Sequence, residues 1–315
     1  MSVVDIISVL VPVFLVIGLG YLAGVRRIFD ADQVEGFNEF VLGFALPAMV
    51  FVGVVATSRS VLLDDAALFL GVTAVQLLFM GLGLVLGRVV LKRDLASSAI
   101  IALMMAVPTA AFMGTPILDA LFRKASSSLA ISLYAISVNA VILPVAIVVL
   151  EWATRPTDEA QGFGTVLRRV LISTASRSIV WSPFLALALV AVGFEPPAPF
   201  DASLDLIGQA TSAVALFASG LIIARFRVSF GVEPIALAIL KNVAQPAAMI
   251  AIAALLGITG VARSEAVILT AMPASVVGPM FAVRYGAYES ESASALIAGT
   301  GFSIATMVVA VLLFG

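Results

Sequence analysis

Apolar runs of membrane-spanning length follow one another along nearly the whole chain, separated by short polar connections. A helix needs about 20 such residues to cross a bilayer. The runs predict ten spans, near residues 4–24, 36–56, 66–90, 97–121, 128–150, 170–193, 204–224, 233–257, 264–284 and 293–314. The longest polar connection, Glu151 to Arg169, falls at the midpoint and predicts two halves, residues 1–150 and 170–315, joined by a linker over 151–169. The first run carries Asp5 at its start and Arg26 and Arg27 after its end. A cleaved leader has the opposite arrangement, so a retained span with its N-terminus outside is expected.

The fourth and ninth runs are interrupted. AVPTAAFMGTP (Ala106–Pro116) and AMPASVVGP (Ala271–Pro279) each place two prolines and a glycine inside an apolar stretch. A helix in lipid must satisfy its backbone internally, so a broken one survives only when buried in protein or lining a wet cavity. A matched pair of such breaks, one per half, points to the substrate site of a secondary transporter. Pro108 and Pro273 are 165 positions apart, and so are Gln76 and Lys241, the polar residues of spans three and eight. Five spans per half is an odd number, so a repeat would have inverted topology; chance coincidence in a Val/Ala/Leu-rich chain is the alternative.

Composition narrows the class. The 315 residues are 62% hydrophobic and 11% charged, with a mean hydropathy of +1.18, against about 25% charged in soluble domains. The expected fold class is an all-α polytopic membrane protein. Without cysteine or histidine there is no disulfide, no zinc site built on those ligands and no Ser-His or Cys-His dyad. No cofactor is expected. A formal charge of −2 argues against nucleic acid as a partner. Lys and Arg sort the connections: twelve, among them Arg26, Arg93, Arg177 and Arg284, fall on one side and four, Arg59, Arg123, Lys124 and Arg263, on the other. The basic side is cytoplasmic by the positive-inside rule, which puts both termini outside and the central linker inside.

If spans four and nine unwind, each yields two half-helices meeting near the midplane. Their N-termini carry unpaired N–H groups and partial positive charge, and two such ends facing one cavity would bind a carboxylate. The candidate substrate-binding residues are Pro108, Thr109, Ala110, Gly114 and Asn139 in the first half, and Pro273, Ser275, Val276 and Val277 in the second. Simple tolerated kinks are the bland alternative; Pro12, Pro47, Pro144 and Pro246 are read that way. Lys241 carries a full charge inside a span, at a cost of about 2.5–3.5 kcal/mol on insertion scales. It is expected to bind carbonyl ends of the broken helices, with Gln76 and Asn242 nearby, unless it snorkels to an interface. Asp119 and Arg123 have i,i+4 spacing suited to a surface pair; a proton-carrying Asp119 is the sharper reading. Asn139 serves either as helix–helix glue or as a cavity donor. Glu151 and Trp152 mark the cytoplasmic interface, and the small residues of span seven, including Gly208 and Gly220, suit close helix packing.

Four segments in order resemble the auxin efflux carrier family of bacterial and plant transporters: Phe44–Phe51 (FALPAMVF), Thr109–Pro116 (TAAFMGTP), Leu240-Lys241 with Pro246, and Ala271–Gly286 (AMPASVVGPMFAVRYG). The resemblance covers essentially the whole chain. It implies a ten-helix crossover transporter with an inverted 5+5 repeat, a scaffold from spans one, two, six and seven, and a mobile domain from three to five and eight to ten. It also implies elevator-type alternating access for small organic anions such as malonate, malate or indole-acetate. The inner membrane of a bacterium is the implied location, and fold analogy implies a homodimer. The family's motif asparagines appear here as Thr109 and Val277, Pro279 is additional, and Gln76 stands where many relatives are acidic. These departures bear on substrate and coupling ion, and they make a carrier driven by membrane potential plausible. A sodium-coupled symporter of the bile-acid-transporter type, a membrane hydrolase built on Ser and Lys241, and a non-transporting sensor are the competing classes.

Overall fold

The computed structural model describes residues 3–56, 65–122, 124–155, 163–194, 196–226 and 231–315, and its regular structure is helical throughout. In chain order the helices are α1 (Val3–Val25), α2 (Ala31–Val55), α3 (Ala66–Val90), α4 (Leu95–Ala106), α5 (Ala110–Leu121), α6 (residues 124–154), α7 (Phe163–Ser176), α8 (Ser178–Val192), α9 (Ala198–Arg225), α10 (Val232–Leu255), α11 (Gly260–Ala271), α12 (Val277–Tyr285) and α13 (Glu289–Phe314). Six of these, α2, α3, α6, α9, α10 and α13, are long and apolar enough to cross a membrane, and α7 with α8 make a seventh if that bent pair is one span. The chain is a polytopic helical membrane protein.

The expected fourth and ninth spans are each two short helices separated by a break, α4/α5 and α11/α12. The sixth departs from its expected bounds. The membrane-length run at 170–193 is split at Arg177, whose backbone is extended, and α7 meets α8 at 69°. Arg168 and Arg169, expected in the linker, sit exposed on α7, and the expected run takes in only the second half of that helix. Arg59, Arg123 and Arg227, the linker residues 156–162, and with Arg123 the expected Asp119–Arg123 pair, lie outside the described residues.

Three of the prolines read as kinks share one device. Pro47, Pro144 and Pro246 each occupy the second position after a π-helical turn, at Val41–Ala45, Ser137–Ile142 and Leu240–Ala244. A proline inside a helix lacks its N–H and crowds the carbonyl four residues back. A wider turn relieves that crowding and leaves a carbonyl free for another donor. At Pro47 the freed carbonyl is that of Gly43, which accepts from the Ser178 hydroxyl at 2.6 Å.

Two sets of helices emerge from the packing. Helix α1 lies along α9, and α2 packs on α8 and α9. In the other set α3 packs on α4 and α10, α4 on α6 and α12, α5 on α6, and α10 and α11 on α13. The α1–α9 contact depends on paired glycines. A Cβ on Gly220 would stand 2.1 Å from the Ile17 carbonyl oxygen, and one on Gly20 would stand 2.0 Å from that of Phe217. Gly208 lets α9 approach Met49 of α2 in the same way. Span seven therefore uses its small residues for packing, as expected.

Candidate functional site

The two breaks meet. Val107 and Met272, each preceding a proline, are extended (ψ 103° and 153°), the conformation that crowding by a proline ring favours. Two extended segments side by side form an antiparallel bridge between Pro108 and Ala274. Thr109 N donates to Pro273 O at 2.8 Å, and Ser275 N donates to Val107 O at 2.9 Å. Pro108, Thr109, Ala110, Gly114, Pro273, Ser275, Val276 and Val277 are all buried.

The carbonyl ends of the broken helices are held from two neighbouring helices. Lys241, in the π-turn of α10, donates to the carbonyl oxygens of Thr270 (3.2 Å) and Met272 at the end of α11. Gln245 Nε2, one turn later on the same face, donates to Ala106 O at the end of α4 (3.0 Å). From α6 the Tyr134 hydroxyl donates to Pro108 O at 2.9 Å. Lys241 is buried, not snorkelling, and both of its acceptors belong to the second of the two broken segments. A cavity of about 20 Å³ beside it, bordered by Asn242, Ala274 and Tyr288, holds at most a single water.

The other expected residues fall at varying distances from this crossing. Gln76 accepts from the Ser137 hydroxyl, which in turn accepts from Thr73. It lies beside Tyr134, the residue that donates to Pro108 O. Asn242 donates to Gly299 O on α13 (2.7 Å). Asn139 donates back to Ala135 O on its own helix (2.7 Å). Gly114 is a contact point, because a Cβ there would stand 3.2 Å from a methyl of Leu269. Gln245 and Tyr134 were absent from the expected site. The signal for Gln245 was its i+4 spacing from Lys241, which places both on one helix face.

The two half-helix N-termini are not equivalent. In α12 the Val277 amide donates to the Ser275 hydroxyl (3.3 Å), Gly278 N to Ser275 O (3.2 Å), Pro279 has no N–H, and Met280 N donates to Val276 O (3.3 Å). That end is saturated by its own turn. In α5 the first intrahelical bond runs from Met113 N to Thr109 O (3.2 Å) and the Thr109 side chain caps nothing. The amides of Ala110, Ala111 and Phe112 are therefore the ones left without intrahelical acceptors. Of the two ends expected to face one cavity, the one on α12 has its first donors taken up by Ser275 and its third position filled by Pro279, so the two are not alike.

A sequence profile for membrane transport proteins, the auxin efflux carrier family, matches residues 5–311. The chain belongs to this family. It is 32% identical over 301 residues to "Uncharacterized transporter YfdV" of Escherichia coli (strain K12), an alignment covering 94% of this chain and 93% of that protein. It is 25% identical over 313 residues to "Putative malonate transporter" of Rhizobium meliloti (strain 1021), covering 96% and 94%. The transporter's crossing is thus read within a family of membrane carriers.

A polar clamp fixes the ends of the crossing helices on the basic side of this transporter. Arg93, between α3 and α4, pairs with Glu233 (2.8 Å) and Glu291 (3.2 Å), and the Tyr288 hydroxyl donates to Glu233 at 2.6 Å. Burial, with Glu233 beside it, pushes the Tyr288 phenol well up, so it remains a donor across the physiological range. Glu151, expected as an interface marker, accepts from Arg177, Ser173 and Tyr285. Within the crossing, Tyr134→Phe removes one neutral hydrogen bond and leaves Pro108 O without that donor. It is expected to cost about 1 kcal/mol, read as a lowered melting temperature of the purified protein.

Proposed function

We propose that this transporter carries small organic anions by alternating access, with the crossing of the α4/α5 and α11/α12 breaks as its substrate site. The observation that carries the reading is the bridge between residues 107–109 and 273–275. It is a costly interruption of two apolar helices, and a neighbouring lysine, glutamine and tyrosine are committed to holding it. The open N-terminus of α5, with Thr109 and Ala110, supplies donors for a carboxylate; Ser275, Val276 and Val277 form the opposing wall. Counting α1 and the two broken segments with the six long helices and the bent pair gives the ten spans of an inverted 5+5 arrangement. The set α1, α2, α8 and α9 is read as the scaffold. The remaining helices except α7 form the moving body of an elevator. Lys241 takes the place of a coupling cation and makes membrane potential the natural driving force, worth about 2.3 kcal/mol per charge per 100 mV. With the basic side cytoplasmic, both termini lie outside in a bacterial inner membrane, and the scaffold offers a homodimer surface. A dicarboxylate is the favoured substrate class, in keeping with the name of the Rhizobium relative.

Uptake into proteoliposomes decides this. Radiolabelled malonate, malate and indole-acetate are offered under imposed sodium, proton and voltage gradients, each alone. Saturable accumulation of a carboxylate under voltage is expected. Failure of every carboxylate under every gradient overturns the reading, and stimulation by sodium alone overturns the coupling.

A further inference from the structure

We propose that the cleft at the α7–α8 break is a second anion site, where a small carboxylate docks before reaching the crossing. The inference rests on the reading above that small organic anions are carried and that the basic side faces the cytoplasm. The cleft has a volume of about 240 Å³ and lies between α2 and α8 on one side and α6 and α12 on the other. It is therefore shared between the two packed sets of helices.

Its donors converge from both sets. Arg284 of α12 and Arg177 at the α7–α8 break both line it. Arg177 is held through one terminal nitrogen by Glu151, but its Nε is buried with no partner among the described residues. The amides of Val180 and Trp181 both donate to Arg177 O, at 2.9 and 3.1 Å. The amides of Ser178 and Ile179, which line the cleft, precede those bonds and have no intrahelical acceptor. Two guanidiniums and a helix N-terminus in one recess form a carboxylate receptor, because guanidinium offers paired N–H groups in the geometry a carboxylate accepts.

The two resident carboxylates differ in how firmly they are held. Glu151 accepts from Arg177, from Ser173 Oγ (3.1 Å) and from Tyr285 Oη (2.9 Å). Glu39 is paired with Arg284 at 3.2 Å, and its side chain is 53% exposed. An exposed pair of this kind contributes little, so an incoming carboxylate exchanges with Glu39 and leaves Glu151 in place. Phe281 and Ile147 in the wall suit the carbon skeleton of such a ligand. Phe281 and Arg284 belong to the helix that begins at the second break, so the docked anion lies on a crossing helix and not on a peripheral loop.

Isothermal titration of malonate into the detergent-purified full chain at low salt tests the site in wild type, E39Q and R284Q. E39Q removes the competitor and no donor, and is expected to tighten binding roughly two- to fivefold. R284Q removes a charged donor and is expected to weaken it about tenfold or more. Equal affinity in all three proteins, or no binding to any, overturns the site. Uptake measured in parallel separates the two readings. Binding that responds to E39Q and R284Q without carboxylate uptake leaves the site standing and rejects the transport reading; uptake without that response rejects the site alone.

Discussion

Lys241→Met is expected to reduce uptake to less than about a tenth of wild type while leaving the melting temperature of the purified protein nearly unchanged. The two readouts separate because two free energies oppose each other. Removing the ammonium leaves Thr270 O and Met272 O without their donor, at about 1–3 kcal/mol for each buried group left unsatisfied. It also removes a charge from the interior, relieving about 2.5–3.5 kcal/mol of insertion cost. The two totals, about 2–6 kcal/mol lost and about 2.5–3.5 kcal/mol relieved, overlap, so the global change is small. The local one is not, because Met272 precedes Pro273, whose carbonyl is bridged to Thr109 N. A loose Met272 carbonyl lets that strand rotate, and the open N-terminus of α5 loses its opposing wall. Uptake by Lys241→Met at the wild-type rate, measured in the same liposomes, would remove the lysine from the mechanism.

What the sequence disclosed about this crossing follows from what proline does locally. A proline biases the residue before it away from the helix. Only where a second proline and a glycine follow, after Pro108 and Pro273, did that bias become a break at Val107 and Met272; Leu46, Leu143 and Gln245 stay helical before theirs. Burial of Lys241 against helix ends was legible too, because a charge inside an apolar run needs acceptors and a broken helix supplies them. The hidden features depend on contacts between distant segments. The spacing from Lys241 puts Gln245 on the same helix face but does not name its acceptor, Ala106 O, 139 positions away. The unequal helix ends arise from the Ser275 hydroxyl turning onto Val277 N, a rotamer choice that composition does not encode. The bend in the sixth span stayed hidden because hydropathy averages over Arg177, where the chain turns by 69°. The π-turns before Pro47, Pro144 and Pro246 were read only as kinks, since a proline announces a disturbance without saying which wider turn absorbs it.

Gly220→Ala and Gly18→Ala are expected to change stability in opposite directions, although each adds one methyl group to a helix of the same packed pair. At Gly18 a Cβ meets nothing within 4 Å, and exchanging a helical glycine for alanine stabilises by roughly 0.5–1 kcal/mol. At Gly220 the same carbon would stand 2.1 Å from Ile17 O, 2.6 Å from Tyr21 N and 2.9 Å from Gly20 C. These are backbone atoms that no rotamer change can move aside. Helices α1 and α9 would have to separate, and an overpacked contact of this kind costs about 1–3 kcal/mol. In a membrane the loss is not recovered by hydrophobic association, since lipid tails solvate an exposed helix face as well as protein does. Melting of the two variants in the same detergent should place Gly220→Ala below wild type and Gly18→Ala at or above it. If the two melt together, the α1–α9 contact is looser than the paired glycines imply, and α1 loses its place in the fixed body against which the crossing is proposed to move.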